Sequence, residues 1–134
     1  MMQLSATILE HTPEVLIASE EALDALLVQA CLQARVAGRL NIIFLYAPNR
    51  DCVSLVVGGE ETVLSFTYGH ADPPYFASSG PDEADEPVLT AFVALEHHTE
   101  FPRCWVVPYD LGKQAAHEFL LTGQRPACLN WVQV

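Results

Sequence analysis

Three apolar runs in the middle of the chain are joined by turns too short for a parallel crossover. "LNIIFLYAP" is followed by "NRD" and then by "CVSLVV", and "GGEE" separates that run from "TVLSFTYG". The runs are rich in β-branched and aromatic residues, which is typical of strands. Because parallel neighbours need a connection of a dozen or more residues, each strand should run antiparallel to the next. The centre of the chain therefore predicts an antiparallel meander.

Two helices are predicted, one near each end of the chain. The first is "SEEALDALLVQACLQARVAG", with Ser19 as its N-cap and Gly38 as its stop. The second is "YDLGKQAAHEFLLTG", in which Gly123 can take the left-handed position and Pro126 prevents the helix from resuming. Gly112 is expected to weaken this second helix by about 1 kcal/mol relative to alanine.

Further strands are expected in "MQLSATILE", "VLTAFVALE" and "CWVVP", and "ACLNWVQV" should dock as a closing strand on a sheet edge. We expect "HHTEFP" to be a polar turn and residues 70–87 to be an exposed loop, in which residues 75–77 pair briefly. The predicted fold class is α+β, a central, largely antiparallel sheet with a helix near each end of the chain. Residues 1–134 are expected to form a single domain.

The formal net charge is −11, and its distribution is uneven. Between Arg50 and Arg103 the chain has no Lys or Arg. Ten acids occupy that stretch, namely Asp51, Glu60, Glu61, Asp72, Asp82, Glu83, Asp85, Glu86, Glu96 and Glu100. Such a surface would repel a phosphate backbone, so binding of nucleic acid or anionic membrane is disfavoured and a basic protein partner is favoured. Plain solubility is the alternative explanation.

The cytoplasm is the expected compartment. No apolar run reaches the about 20 residues that span a bilayer, and the first residues lack the basic region of a secretory signal. The four cysteines are scattered, and such residues usually act as small buried hydrophobes, with a disulfide or a metal pair as the alternative. They are Cys31, Cys52, Cys104 and Cys128.

Catalytic patterns are weak. His98-Thr99-Glu100 matches the H-x-E half of a zinc deaminase signature, but no P-C-x-x-C follows to complete the zinc ligands. Ser78-Ser79-Gly80 is not a nucleophile elbow, and Gly58-Gly59 lacks the context of a phosphate-binding loop. The carboxylates of "PDEADE" should be solvated and poorly positioned for acid–base chemistry. We therefore expect no catalytic residue, no metal and no cofactor, although a small enzyme with an unrecognised site stays possible.

Aromatic residues suggest two roles. Trp105 and Trp131 lie in short apolar stretches and are expected in the core. Tyr75 and Phe76 lie beside proline and acids, as interface anchors do.

The tail "YDLGKQAAHEFLLTGQRPACLNW" resembles the C-terminal signature of an immunity-protein family from bacterial polymorphic toxin systems. That family is typically encoded beside toxins of the nucleic-acid deaminase superfamily. Its pattern is a strand ending in proline, a helix with an aromatic residue near its end, a turn, and a closing strand with tryptophan. The matching residues are Pro108, Phe119, Gly123, Arg125, Pro126 and Trp131. The resemblance covers roughly residues 52–131.

The resemblance implies a non-catalytic inhibitor that binds its cognate toxin in the cytoplasm and blocks the active site. A deaminase cleft that attracts nucleic acid should be basic, so an acidic face could occupy it. We expect the tail residues to be structural and the contact to lie on the 75–86 loop and the 97–100 turn. The expected contact residues are Tyr75, Phe76, Asp82, Glu83, Asp85, Glu86, His97, His98 and Glu100. The alternative is an acidic regulatory or chaperone-like domain for another basic protein.

Overall fold

The computed structural model describes residues 3–10, 12–84 and 86–134. The elements in chain order are strands β1 (Leu4–Ile8) and β2 (Val15–Ile17), helix α1 (Glu20–Ala37), strands β3 (Asn41–Tyr46), β4 (Cys52–Val57), β5 (Glu61–Thr62), β6 (Leu64–Thr67), β7 (Phe76–Ser78), β8 (Leu89–Ala94) and β9 (His97–Phe101), a 3₁₀ turn (Arg103–Trp105), strand β10 (Val107–Pro108), helix α2 (Tyr109–Thr122) and strand β11 (Trp131–Gln133). Asp85, an expected contact residue, lies outside the described residues.

Nine of the described strands form one sheet, in the order β11-β7-β6-β4-β3-β1-β2. All neighbours along this path are antiparallel. Strand β8 leaves the path by a single parallel pair, Asn41 with Phe92, and β9 pairs antiparallel with β8. Strands β5 and β10 form a separate two-stranded ribbon. The predicted α+β fold, with a largely antiparallel sheet and a helix near each end of the chain, is confirmed.

The helix ends follow the local sequence. Ser19 accepts a hydrogen bond from the Ala22 backbone N–H at 3.1 Å, which satisfies one of the unpaired amides at the start of α1. Gly38 and Gly123 take left-handed conformations, with φ of 68° and 69°, just after α1 and α2. Glycine adopts this region without the steric cost of a Cβ atom, so both helices stop where the sequence predicts.

Both helices pack on the same face of the sheet. Alternate residues of β3, β4 and β6 point to this face, since successive strand side chains point to opposite sides. The buried core there includes Leu23 and Leu27 of α1, Phe119 and Leu120 of α2, and Phe66 of β6. Rings of Phe76, Phe119 and Trp131 each lie 6.4 Å from Phe66, measured between centroids. The tail therefore closes this core.

A second, smaller core lies on the other face of the sheet, beneath the hairpin of β8 and β9. Ile42, Val56 and Val63 supply its floor, and Ala91 and Val106 cover it. Leu89, Val93, Phe101 and Trp105 pack around it as partly buried residues. The sheet thus separates a helical side from a hairpin side.

Two local predictions were wrong, the second of them in part. The predicted turn "HHTEFP" contains strand β9, because Thr99 and Phe101 turn inward while His98 and Glu100 face solvent, an alternation that β8 can pair with. Of the predicted strand "CWVVP", Cys104 and Trp105 belong to the 3₁₀ turn and only Val107 and Pro108 form a strand, β10. Strand β2 was not predicted, because Val15 and Leu16 are exposed and give no burial alternation. Trp105 and Trp131 lie half-buried at the margins of the two cores.

Candidate functional site

The acidic loop, residues 79–84 and 86–88 as the structure describes them, lies on the hairpin side of the sheet. Asp82, Glu83 and Glu86 are all exposed. The loop begins at a fixed point, since the Gly80 backbone N–H donates to the Cys104 carbonyl at 2.7 Å. These acids therefore project from an anchored base, where their charge is available to a partner.

Arg103 ties the acidic loop to the rest of the molecule. Its guanidinium contacts Glu61 at 2.5 Å and 3.1 Å, and the more distant Asp82 at 3.4 Å. The hydrogen bond with Glu61 is the main cause that raises the pKa of Arg103. Arg103 offsets part of the charge of Glu61 and Asp82. Glu83 and Glu86 have no ion pair within the described residues.

Strand β9 adds a polar edge to this surface. It pairs only with β8 among the described strands, and His97, His98 and Glu100 are exposed along it. Glu100 pairs with Thr90, close to the end of the acidic loop, whereas His97 lies at the hairpin turn opposite Ala94. The structure therefore places Glu100 beside the acidic loop and the two histidines progressively farther from it.

Tyr75 and Phe76 lie away from the acidic loop, at the opposite end of β7. Phe76 packs against the helical core, and the Arg125 guanidinium carbon lies 4.1 Å from its ring centroid. Tyr75 is exposed, and its hydroxyl donates to the Ala71 carbonyl at 2.9 Å. Of these two aromatic residues, only Tyr75 presents its ring to a partner, and it does so on a separate part of the surface.

Tyr75 also lines a cavity of about 490 Å³ that sequence reasoning missed. The cavity lies on the face of the sheet opposite the helices, and Tyr46, Ser54 and Ser65 form part of its wall. Burial raises the pKa of Tyr46, with Cys52 as the next cause. The signal that could have found this cavity is the alternation at Cys52–Leu55 of β4 and along β6, where cysteine, serine and threonine occupy one face and apolar residues the other.

The serine and cysteine candidates are buried or half-buried in this molecule. Ser78 is fully buried, accepts a hydrogen bond from the Leu64 N–H and donates to the Trp105 carbonyl at 2.6 Å. The four cysteines are half-buried and form no disulfide with one another. No group of three or more His, Cys, Asp or Glu that could hold a metal occurs in the part of the chain that the structure describes.

Neither helix, among the described residues, combines the length and apolar character needed to cross a membrane.

The architecture is that of an α+β domain with an exposed acidic surface. A family model described as immunity protein Imm1 matches residues 11–133, which is nearly the whole chain, so this chain belongs to the Imm1 family of immunity proteins. An immunity protein is the inhibitor of a toxin system and binds a cognate toxin. No curated protein matches the chain.

Proposed function

We propose that this protein neutralises a nucleic-acid deaminase toxin in the cytoplasm by covering its active site with the acidic loop and the adjoining edge of β9. Family membership supports the role of toxin inhibitor. The deaminase target rests on the resemblance of the tail, and the mode of inhibition rests on charge. In this account the protein binds its partner and catalyses no reaction.

The observation that carries the occlusion mechanism is the exposure of the acidic side chains. Asp82, Glu83, Glu86 and Glu100 lie in solvent on one side of the molecule. A cleft that holds a polyanionic substrate has to present positive charge, and an anionic protein surface complements the same field. Complementary potentials speed encounter and suppress wrong partners. The acidic loop would therefore reach the cleft in place of the phosphate backbone.

Affinity requires more than these rim charges, because exposed ion pairs contribute only about 0 to 1 kcal/mol each. Well-packed aromatic and arginine residues usually dominate binding. Tyr75 is exposed and lines a cavity large enough to accept a partner side chain. A toxin that covers the acidic loop and wraps past the end of β7 would also reach Tyr75, and the two regions would then supply steering and affinity respectively.

Inhibition is tested with the toxin that the same bacterium encodes or that the protein captures from it. Deamination of a single-stranded DNA, a duplex DNA and an RNA substrate is followed while this protein is titrated. Activity should fall to the background rate at about one equivalent. An unchanged deamination rate at saturating protein, with binding verified separately, would exclude occlusion. Capture of a toxin that has no deaminase activity would exclude the proposed target while leaving the family role intact.

A further inference from the structure

Helix α1 is apolar on two opposite sides. One side is buried and includes Leu23, Leu27 and Ala34. On the other side Val28 is 59% exposed, Leu32 55% and Val36 90%. These three residues are spaced four apart, so they form one stripe along the helix. We call them, with Ala25 at the N-terminal end, the α1 stripe.

The apolar surface continues from the α1 stripe to strand β2. A broad depression of about 770 Å³ follows the stripe, and a second of about 440 Å³ lies between α1 and β2. Both are bounded by Ala25, Gln29 and Gln33, and the second reaches Val15 and Leu16. Large contiguous apolar patches are uncommon on monomeric proteins and usually mark an interaction surface.

We propose that the α1 stripe binds the same stripe of a second copy of this chain, with the two helices antiparallel. Charge favours this occupant and this direction. The first turn of α1 carries Glu20 and Glu21, whereas the last turn carries Arg35. An antiparallel pair brings each acidic end beside a basic end and also opposes the helix dipoles, whereas a parallel pair would bring like charges together.

The stripe is self-complementary in other respects. It carries no charged residue between its ends, and α1 has 18 residues, which gives a helix of about 27 Å. Glu21 and Arg35 are 14 residues apart, so they lie on the same flank of the stripe at a heptad spacing. A two-fold axis across the middle of the helix would form the same ion pair twice. The α1 stripe lacks the cluster of acidic side chains that would attract the basic cleft proposed for the toxin, so the toxin is not its expected partner.

The dimer and the proposed toxin contact use different sides of the molecule. The α1 stripe lies on the helical side of the sheet, and the acidic loop lies on the hairpin side. Each copy in the dimer would therefore keep its acidic loop free, and two toxins could bind one dimer. This inference does not depend on the identity of the toxin, and either proposal can fail without the other.

Analytical ultracentrifugation of the purified chain tests the inference. The mass should rise from 14.7 kDa toward twice that value as concentration increases through the micromolar range. The Leu32→Glu/Val36→Glu variant should stay monomeric, because dimerisation would bury its new charges. The matched control is Leu121→Glu, which alters an exposed leucine of α2 outside the stripe and should associate like the wild type. Circular dichroism of each variant checks that the fold is retained.

A charge exchange tests the antiparallel direction. Glu21→Arg and Arg35→Glu should each weaken association by about fivefold, since each replaces two attractive pairs by two repulsive ones. The double variant should restore the wild-type association constant. A wild-type chain that stays monomeric to hundreds of micromolar would overturn the proposal. A loss of toxin binding by the Leu32→Glu/Val36→Glu variant would not rescue it. Dimerisation that Leu32→Glu/Val36→Glu leaves unchanged would overturn it equally.

Discussion

At the scale of single residues, Gly112 is required by packing although it lies inside a helix. A Cβ atom added there would lie 2.6 Å from Cγ2 of Thr62, so α2 could not approach β5 as closely with any other residue. The Thr62 hydroxyl is itself fixed, because it accepts from the Val56 N–H at 3.0 Å and donates to the Val56 carbonyl at 2.8 Å. The weakness that glycine brings to a helix is offset by this close approach.

Gly112→Ala should therefore destabilise the protein, although alanine is the better helix former. The helix gains about 1 kcal/mol of propensity, and overpacking costs about 1 to 3 kcal/mol, so the net loss should be up to about 2 kcal/mol. Urea unfolding measures the difference. Gln114→Ala, an exposed position of the same helix, is the control and should change stability by less than about 0.5 kcal/mol. A stabilised Gly112→Ala variant would show that the helix can shift away from β5.

The buried thiol of Cys52 should make the free energy of unfolding fall at alkaline pH. Burial raises the pKa of its thiol from 9.0 to about 12, so the folded chain keeps a proton that the unfolded chain releases. The contribution is complete below pH 9.0 and is lost as pH rises toward 12, by about 1.4 kcal/mol per pH unit. Burial also raises the pKa of Tyr46, which adds to the same slope.

The free energy of unfolding should consequently fall between pH 9 and pH 10.5, and Cys52→Ala should reduce that slope. Urea titrations at several pH values give the slope for each protein. Comparison of slopes removes the constant cost of the smaller side chain. Equal slopes for the two proteins would mean that the folded Cys52 thiol ionises as readily as the unfolded one.

At the scale of elements, the tail stabilises the sheet. Phe119 of α2 is fully buried and Trp131 of β11 is half-buried, and both rings meet Phe66. The Trp131 indole N–H donates to the Pro126 carbonyl at 2.7 Å, which links the closing strand to the turn after Gly123. The family-like residues of the tail thus have structural partners.

Phe119→Ala should cost about 3 to 5 kcal/mol, because it opens a cavity at the centre of the helical core. Trp131→Ala should cost less, about 2 kcal/mol, since part of its ring already faces solvent. Thermal or urea unfolding gives both values, and toxin binding is measured under conditions in which each variant is folded. A Trp131→Ala variant that keeps its stability but loses toxin binding would place the contact on the tail.

The sequence predicts the elements that are fixed by local chemistry. The capping residues Ser19, Gly38 and Gly123 set the helix ends, and the short turns set the antiparallel order of β3, β4 and β6. No local signal positions the hairpin of β8 and β9. Strand β8 pairs with β3 at one position, between residues far apart in sequence, and the hairpin is held mainly by burial of its apolar side chains. Strand β9 escapes detection since its outward residues are polar and its inward ones are few.

The candidate site likewise has features that the local sequence predicts and features that depend on the assembled sheet. Exposure of Glu83 and Glu86 follows from a loop rich in proline and acids, and no chemistry there requires burial. Tyr75 precedes β7 and the acidic loop follows it, so the two lie at opposite ends of this strand. Their separation becomes evident only once β7 is known to be a strand of the sheet. The cavity beside Tyr75 needs three strands and a loop to converge, so no single stretch of sequence reveals it.

At the scale of the whole molecule, charge and apolar surface are segregated. The hairpin side carries the acidic loop, and the helical side carries the α1 stripe. An exposed charge acts over about 10 Å at 0.1 M salt, so the acids can attract a basic partner before contact. The two sides therefore suit two different associations, one steered by charge and one dependent on apolar contact.

Reversal of loop charge should slow association with the toxin. Glu83→Lys/Glu86→Lys should lower the association rate constant by about tenfold at low salt and flatten its dependence on ionic strength. Stopped-flow fluorescence measures both. The control Asp110→Lys/Gln114→Lys/Gln124→Lys changes the net charge by the same amount through exposed residues in and just after α2. Equal slowing by the two variants would show that total charge, and not the acidic loop, steers the encounter.

The central claim is that the acidic surface occupies the cleft that nucleic acid would otherwise enter. The most direct measurement is displacement of a fluorescent oligonucleotide from a catalytically inactive form of the toxin, followed by anisotropy as this protein is added. We predict complete displacement at about one equivalent, with the apparent affinity of this protein falling as oligonucleotide concentration rises. A stable ternary complex of toxin, oligonucleotide and this protein would contradict the account.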